Sequence, residues 1–169
     1  WSSDVCSSDL VDITPDEPVR LSGYAGRVAS ASEVADPLSA RALVIAPSAA
    51  ASQAAAPATH EAVDESRTLV LISIDAIGVS NLMTVGVARW LEERYSIPRA
   101  NLVISSTHSH ATPHQTGLIS NLYPVPSTAE QIEASARYTE KVHRAIEQAI
   151  AQAMESRVIA KLAMGQAQV

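Results

Sequence analysis

Apolar and polar positions divide this chain into strands and two helices. Thr68-Leu69-Val70-Leu71-Ile72-Ser73-Ile74-Asp75 is nearly continuous in apolar residues, as in a strand covered on both faces. Leu102 to Ser106 reads as a second buried strand, and a third runs from about Ala40 to Ala46. Val11-Asp12-Ile13-Thr14-Pro15 alternates and then meets proline, which predicts a short strand ending in a turn. Arg157 to Met164 predicts a last strand.

Between the first and second of these runs the period changes. Ser80 can cap a helix to about Tyr95, with Met83, Val87, Trp90, Leu91 and Arg94 on one stripe and Pro98 barring continuation. Ser127-Thr128-Ala129-Glu130 fits a capping box with Ser127 at the cap. Behind it Ile132, Ala136, Thr139, Val142, Ile146, Ala149 and Ala153 repeat at helical steps. Strand, helix, strand in succession predicts a right-handed crossover between parallel neighbours. The expected fold class is α/β, a mixed β-sheet flanked by helices, forming the N-terminal portion of something larger. Leu21 to Arg27 is a loop punctuated by Gly23 and Gly26. Pro47 to Glu65, rich in Ala, Ser and Pro, reads as a low-complexity connection, and His60 within it as a solvated loop residue.

The first ten residues, Trp1 to Leu10, read as a translated sequencing adapter and are expected to stand outside the fold, leaving residues 11–169 as the domain. They hold the chain's one cysteine, Cys6, so thiolate chemistry is excluded from the rest. They also supply two of the acidic residues behind the net charge of −6. That mild acidity, with no basic stripe and few aromatics, argues against nucleic-acid binding. No apolar run approaches the roughly 18 residues that a bilayer span requires.

The candidate chemistry lies in Ser106-Thr107-His108-Ser109-His110-Ala111-Thr112-Pro113-His114, which holds three of the five histidines. Imidazoles at i and i+2 on an extended segment face one side. At the exit of a strand such a pair suits a divalent metal, and zinc accepts neutral imidazole nitrogens at roughly 2.0–2.1 Å. His108 is the best ligand candidate. His110 is a second ligand, or it bonds the attacking water or the oxyanion. Pro113 separates His114 from the pair and leaves it as a rim residue. Asp75, ending the neighbouring strand, either orients an imidazole or caps the turn before Ser80. His143, between Lys141 and Arg144, reads as structural or surface, and Asp12, Asp16 and Glu17 as a solvated turn. GxSxG, phosphate-loop and GxGxxG patterns are absent from the sequence.

Several blocks in order resemble the neutral/alkaline non-lysosomal ceramidases in their N-terminal catalytic domain. They are Asp12-Ile13-Thr14-Pro15, Leu21-Ser22-Gly23-Tyr24, Asp36-Pro37-Leu38 with Ala40 to Val44, Leu71 to Asp75, and Ile97 to Ser105. The most specific is Ser106 to Pro113, similar to the family's S-x-T-H-T-H-S-G-P. The resemblance implies a zinc-dependent amidase that hydrolyses the N-acyl bond of ceramide. His108 would ligate zinc, and His110 would act catalytically beside it. The family's remaining ligands, a His, a Glu and a Tyr, would fall beyond Val169, leaving this piece inactive alone. A lipid-like small-molecule substrate, work at a membrane periphery and a secreted or periplasmic location are implied too, with no protein partner evident. Thr112 stands where the family has Gly, and Ala35 where a histidine often precedes Asp-Pro-Leu. Ceramide therefore competes with other amides or esters as substrate. An amidohydrolase-type barrel and a metal-free binding module are the competing readings.

Overall fold

The computed structural model describes residues 3–47, 64–118, 123–163 and 165–167, with side chains from residue 9 onward. In chain order the elements are β1 (Ser3–Asp12), β2 (Val19–Arg20), β3 (Ser30–Ala31), β4 (Ser39–Pro47), β5 (Leu69–Ile74), α1 (Asn81–Tyr95), β6 (Leu102–Ser106), α2 (Ala129–Glu155) and β7 (Val158–Lys161). Five strands form one sheet in the order β6-β5-β4-β1-β7, and β2 pairs β3 in a separate ladder. β5 and β6 are parallel, joined through α1, and every other pairing in the sheet is antiparallel. The sheet is therefore mixed, as expected, and lacks the regular parallel alternation of a barrel. Most of the low-complexity connection, with His60, lies outside the described residues.

β1 starts earlier than the alternating pattern at Val11 suggests. It pairs with β4 from Asp4 opposite Pro47 to Asp12 opposite Ser39. Residues 3–10 of the decapeptide thus run within the sheet rather than beside it. Ladder bonds come from the main chain and ask little of the side chains, so this pairing does not bear on the decapeptide's origin.

Burial alternates along the strands. Val70, Ile72 and Ile74 of β5 are buried, as are Ala40, Ala42 and Val44 of β4. Both helices cover this face, where Met83, Val87 and Leu91 of α1 and Val142, Ile146 and Ile150 of α2 join one core. The other face of β5 is only partly covered among the described residues: Leu71 is half-buried and Leu69 exposed. A continuous apolar run does not by itself say that both faces are covered within this chain.

Ser80 caps α1 by accepting from the Met83 amide at 3.1 Å, and Ser96 closes it in the left-handed region. The cap of α2 falls one residue later than the pattern predicts. Thr128 accepts from the Gln131 amide, and the Gln131 side chain accepts from the Thr128 amide. Ser127 is engaged instead by Arg20 at 3.1 Å. The buried stripe of α2 is also rotated at its start. Ala134, Ser135 and Tyr138 face inward, whereas Ile132 is 58% exposed. Val142, Ile146, Ala149 and Ala153 are buried as the periodicity predicts.

The two isoleucines of α2 should therefore behave oppositely. Ile146→Ala removes a fully buried side chain and should cost about 2–5 kcal/mol. Ile132→Ala should stay within about 0.5 kcal/mol of the parent. Urea denaturation of both variants measures the difference.

Candidate functional site

The carboxyl ends of the parallel pair β5 and β6 lie side by side, the place where ligands gather in open α/β sheets. The Thr107 amide bonds the Ile74 carbonyl at 3.0 Å, joining the two departing chains. His108 follows at once, with φ 57°. That left-handed backbone is uncommon outside glycine and carries strain. It turns the chain out of the sheet and leaves His108 exposed.

The His108 ring is anchored. Its Nδ1 lies 2.7 Å from the Ile77 carbonyl in the loop after β5. A carbonyl only accepts, so Nδ1 carries the hydrogen, and in the neutral ring the Nε2 lone pair is free to bind a cation. The His110 ring lies 5.2 Å from the His108 ring, centroid to centroid, at 72°. The two imidazoles named by the sequence are thus brought together. Among the described residues no group of three His, Cys, Asp or Glu side chains gathers where a metal could be held.

Side chains from the Gly-punctuated loop complete the cluster. Tyr24 meets His110 edge-on at 5.1 Å, and the Arg27 guanidinium lies 4.5 Å over the Tyr24 ring. Arg27 also donates to the His110 and Ser22 carbonyls. Gly23, at φ 94°, lies so close that an added Cβ would stand 2.5 Å from the His110 Cβ. The close approach needs a glycine. Sequence spacing did not single out Tyr24, Arg27 or Gly23, although the Gly-Tyr pair in a short loop was the available signal.

Two short stretches hold the loops together. The Ser22 amide bonds the Thr112 carbonyl at 2.8 Å, the His114 amide bonds the Arg20 carbonyl at 2.8 Å, and Leu21 bridges Pro113. A recess of about 380 Å³ opens beside this seam, between Pro15, Val19, Leu21, Leu38, Ala111 and Pro113. Asp16, Glu17, Glu33 and Asp36 also line it, so its wall is mixed, and it shares that wall with the histidine loop.

Asp75 is not tied to an imidazole. Its carboxylate accepts from the Ser39 amide at 2.9 Å and hydroxyl at 2.7 Å, and Arg41 lies 3.4 Å away. Partial burial works against its charge, but the Ser39 bonds and the Arg41 charge hold the carboxyl below its ordinary value. It fastens the end of β5 to the start of β4. His114, expected at the rim, is buried at 8% exposure because the seam pulls it beneath the loop. Burial and the Arg20 charge both push its pKa below the usual histidine value. His143 packs against Gly86 between the helices and lies 3.6 Å from Glu147. Asp12, Asp16 and Glu17 are exposed, as a solvated turn requires, and Asp16 and Glu17 also pair with Lys141 and Arg137 of α2.

These elements define an α/β domain that carries a polar cluster where two parallel strands end. The same fold occurs within solved ceramidases. The chain matches neutral ceramidase from Pseudomonas aeruginosa with a TM-score of 0.68 at 18% identity, over 93% of this chain and 22% of that one. It matches a ceramidase complexed with C2 with a TM-score of 0.59 at 19% identity, over 89% of this chain and 22% of that one. The fold implied by the sequence resemblance is therefore present, in a chain that spans about a fifth of those neighbours. No protein-family model matches the sequence, and no curated protein matches it significantly.

Gly23→Ala should strain the loop and displace His110, at a cost of about 1–3 kcal/mol for the forced backbone. Thermal denaturation checks the cost, and a shifted His110 ring-proton resonance checks the displacement. His114 makes a pH prediction. The unfolded histidine protonates near its model value of 6.5, while the folded one protonates only at lower pH. The folded state then binds fewer protons, so its stabilising contribution is full above pH 6.5 and is lost as pH falls. His114→Gln should flatten the stability profile just below pH 6.5. A series of urea midpoints across that range measures it, well above the acid range where Asp75 titrates.

Proposed function

We propose that the chain carries part of a zinc-dependent amidase site acting on the N-acyl bond of ceramide or a related N-acyl lipid. The observation that carries this reading is the anchored His108 ring, its Nδ1 held by the Ile77 carbonyl and its Nε2 left for a cation, in a fold shared with neutral ceramidases. Backbone carbonyls commonly orient metal-binding imidazoles in this way. Zinc bound there would supply Lewis acidity and lower the pKa of a bound water.

The remaining roles belong to the chain's own residues. His108 holds the cation. His110, beside it, offers a ring nitrogen to the attacking water or to charge developing on the amide oxygen. Tyr24 and Arg27 fix the His110 ring and backbone. The recess next to Ala111 and Pro113 can seat an acyl chain along its apolar residues, Val19, Leu21 and Leu38 among them, with the carboxylates of its wall facing a polar portion. Two imidazoles are fewer than the usual three protein ligands, so the full site draws on groups other than the described residues. Another amide or ester would meet the same groups, and the apolar part of the recess is what favours a lipid.

Zinc titration monitored by calorimetry and thermal denaturation tests the reading. The chain should bind zinc and gain stability. His108→Ala should weaken binding at least about 10-fold, the loss that removing even a hydrogen-bond partner of a ligand brings. Absence of zinc binding, with unchanged stability in His108→Ala, would instead identify a metal-free module that keeps the fold.

A further inference from the structure

Beneath the histidine loop lies a cation without a counter-ion. Arg20, in β2, is 0% exposed. Among the described residues no carboxylate lies within ion-pair distance of it. Its Nε donates to the Arg27 carbonyl at 2.9 Å, and one Nη donates to the Val125 carbonyl at 3.0 Å and the Ser127 hydroxyl at 3.1 Å. Among the described residues its other Nη has no partner.

Two more unpartnered groups stand beside it. The Tyr123 ring lies 4.4 Å under the guanidinium, and its buried hydroxyl has no hydrogen-bond partner among the described residues. The His114 ring meets Tyr123 edge-on at 5.2 Å, and its buried Nδ1 has none among them either. Buried polar atoms in folded proteins are nearly always paired, so three orphans at one place call for an explanation. His114 and Tyr123 line a cavity of about 360 Å³ together with Thr116, Ser127 and Ser135. Arg20 backs its wall through contact with Tyr123 and Ser127.

We propose that this cavity binds a small oxyanion, a carboxylate or phosphate group, which accepts from Tyr123 and the wall hydroxyls and balances the buried charge of Arg20. Water would satisfy the orphaned hydrogen bonds but would leave that charge uncompensated. The neighbouring serine and threonine hydroxyls and the tyrosine all donate readily to an anion. Nothing in this site uses zinc, so its failure would leave the amidase reading untouched.

Thermal denaturation in sodium acetate, sodium phosphate and sodium chloride at matched ionic strength tests the site. Acetate or phosphate should raise Tm in a saturable way beyond chloride. Saturation by acetate alone assigns a carboxylate, and by phosphate alone a phosphate group. The response should vanish in Arg20→Gln. It should weaken about 10-fold in Tyr123→Phe, as expected on losing a hydrogen bond to a charged group. No rise beyond chloride overturns the proposal, as does an undiminished rise in Tyr123→Phe. The tyrosine variant keeps the ring over the guanidinium, so it decides the matter even where Arg20→Gln does not fold.

Discussion

Two backbone hydrogen bonds hold the candidate site together, Ser22 to Thr112 and His114 to Arg20, and they pair Leu21 with Pro113 as a β-bridge. The sheet delivers the histidine loop only as far as Thr107, whose amide is tied to Ile74. From there the chain leaves regular structure with a left-handed residue at His108. Without a second anchor, a long loop would sample many positions of His110. The seam supplies that anchor from a distant part of the sequence. Gly23 lets the two chains approach until the loop backbone touches the His110 side chain. Such close contact restricts the ring without a hydrogen bond to it, and Tyr24 and Arg27 complete the restriction.

The fold was legible wherever apolar periodicity decided it. β4, β5, β6 and α1 lie within a residue or two of the positions that the pattern predicts, because each must bury one face against the others. The parallel pairing of β5 and β6 followed from the intervening helix. Patterning failed where several residues compete for one role. Ser127 and Thr128 can both cap α2, and the choice fell to Thr128 because Arg20 engages the Ser127 hydroxyl. No local rule sees that contact. The inward stripe at the start of α2 was misread for a related reason. Tyr138 is 3% exposed and takes the core position near the loops, which leaves Ile132 outside.

The site was legible in its centre and obscure around it. The His108 and His110 rings do lie 5.2 Å apart, but a left-handed turn at His108 stands where the spacing argument assumed an extended segment. What spacing cannot show is which group holds each ring. A carbonyl, that of Ile77, fixes His108, and carbonyl partners leave no trace in side-chain identity. Asp75 looked suited to that task by its place at the end of β5. Its carboxylate turns toward Ser39 and Arg41, which offer three donors close at hand. A carboxylate goes to the strongest available set of donors, and strand order decides which set is available.

Arg20 gives the seam a second meaning. Its carbonyl receives the His114 amide, while its guanidinium is buried beneath the loop against Tyr123. One residue thus helps to hold the histidine loop through its backbone and carries an unbalanced charge through its side chain. Burying a cation without a counter-ion is unfavourable, and the same rung must carry that strain. Three neutral acceptors and an aromatic face offset part of it. An anion in the cavity would offset more. The two clusters meet at the Arg20–Ser22 backbone, a tripeptide with the histidine loop on one side and the cation on the other.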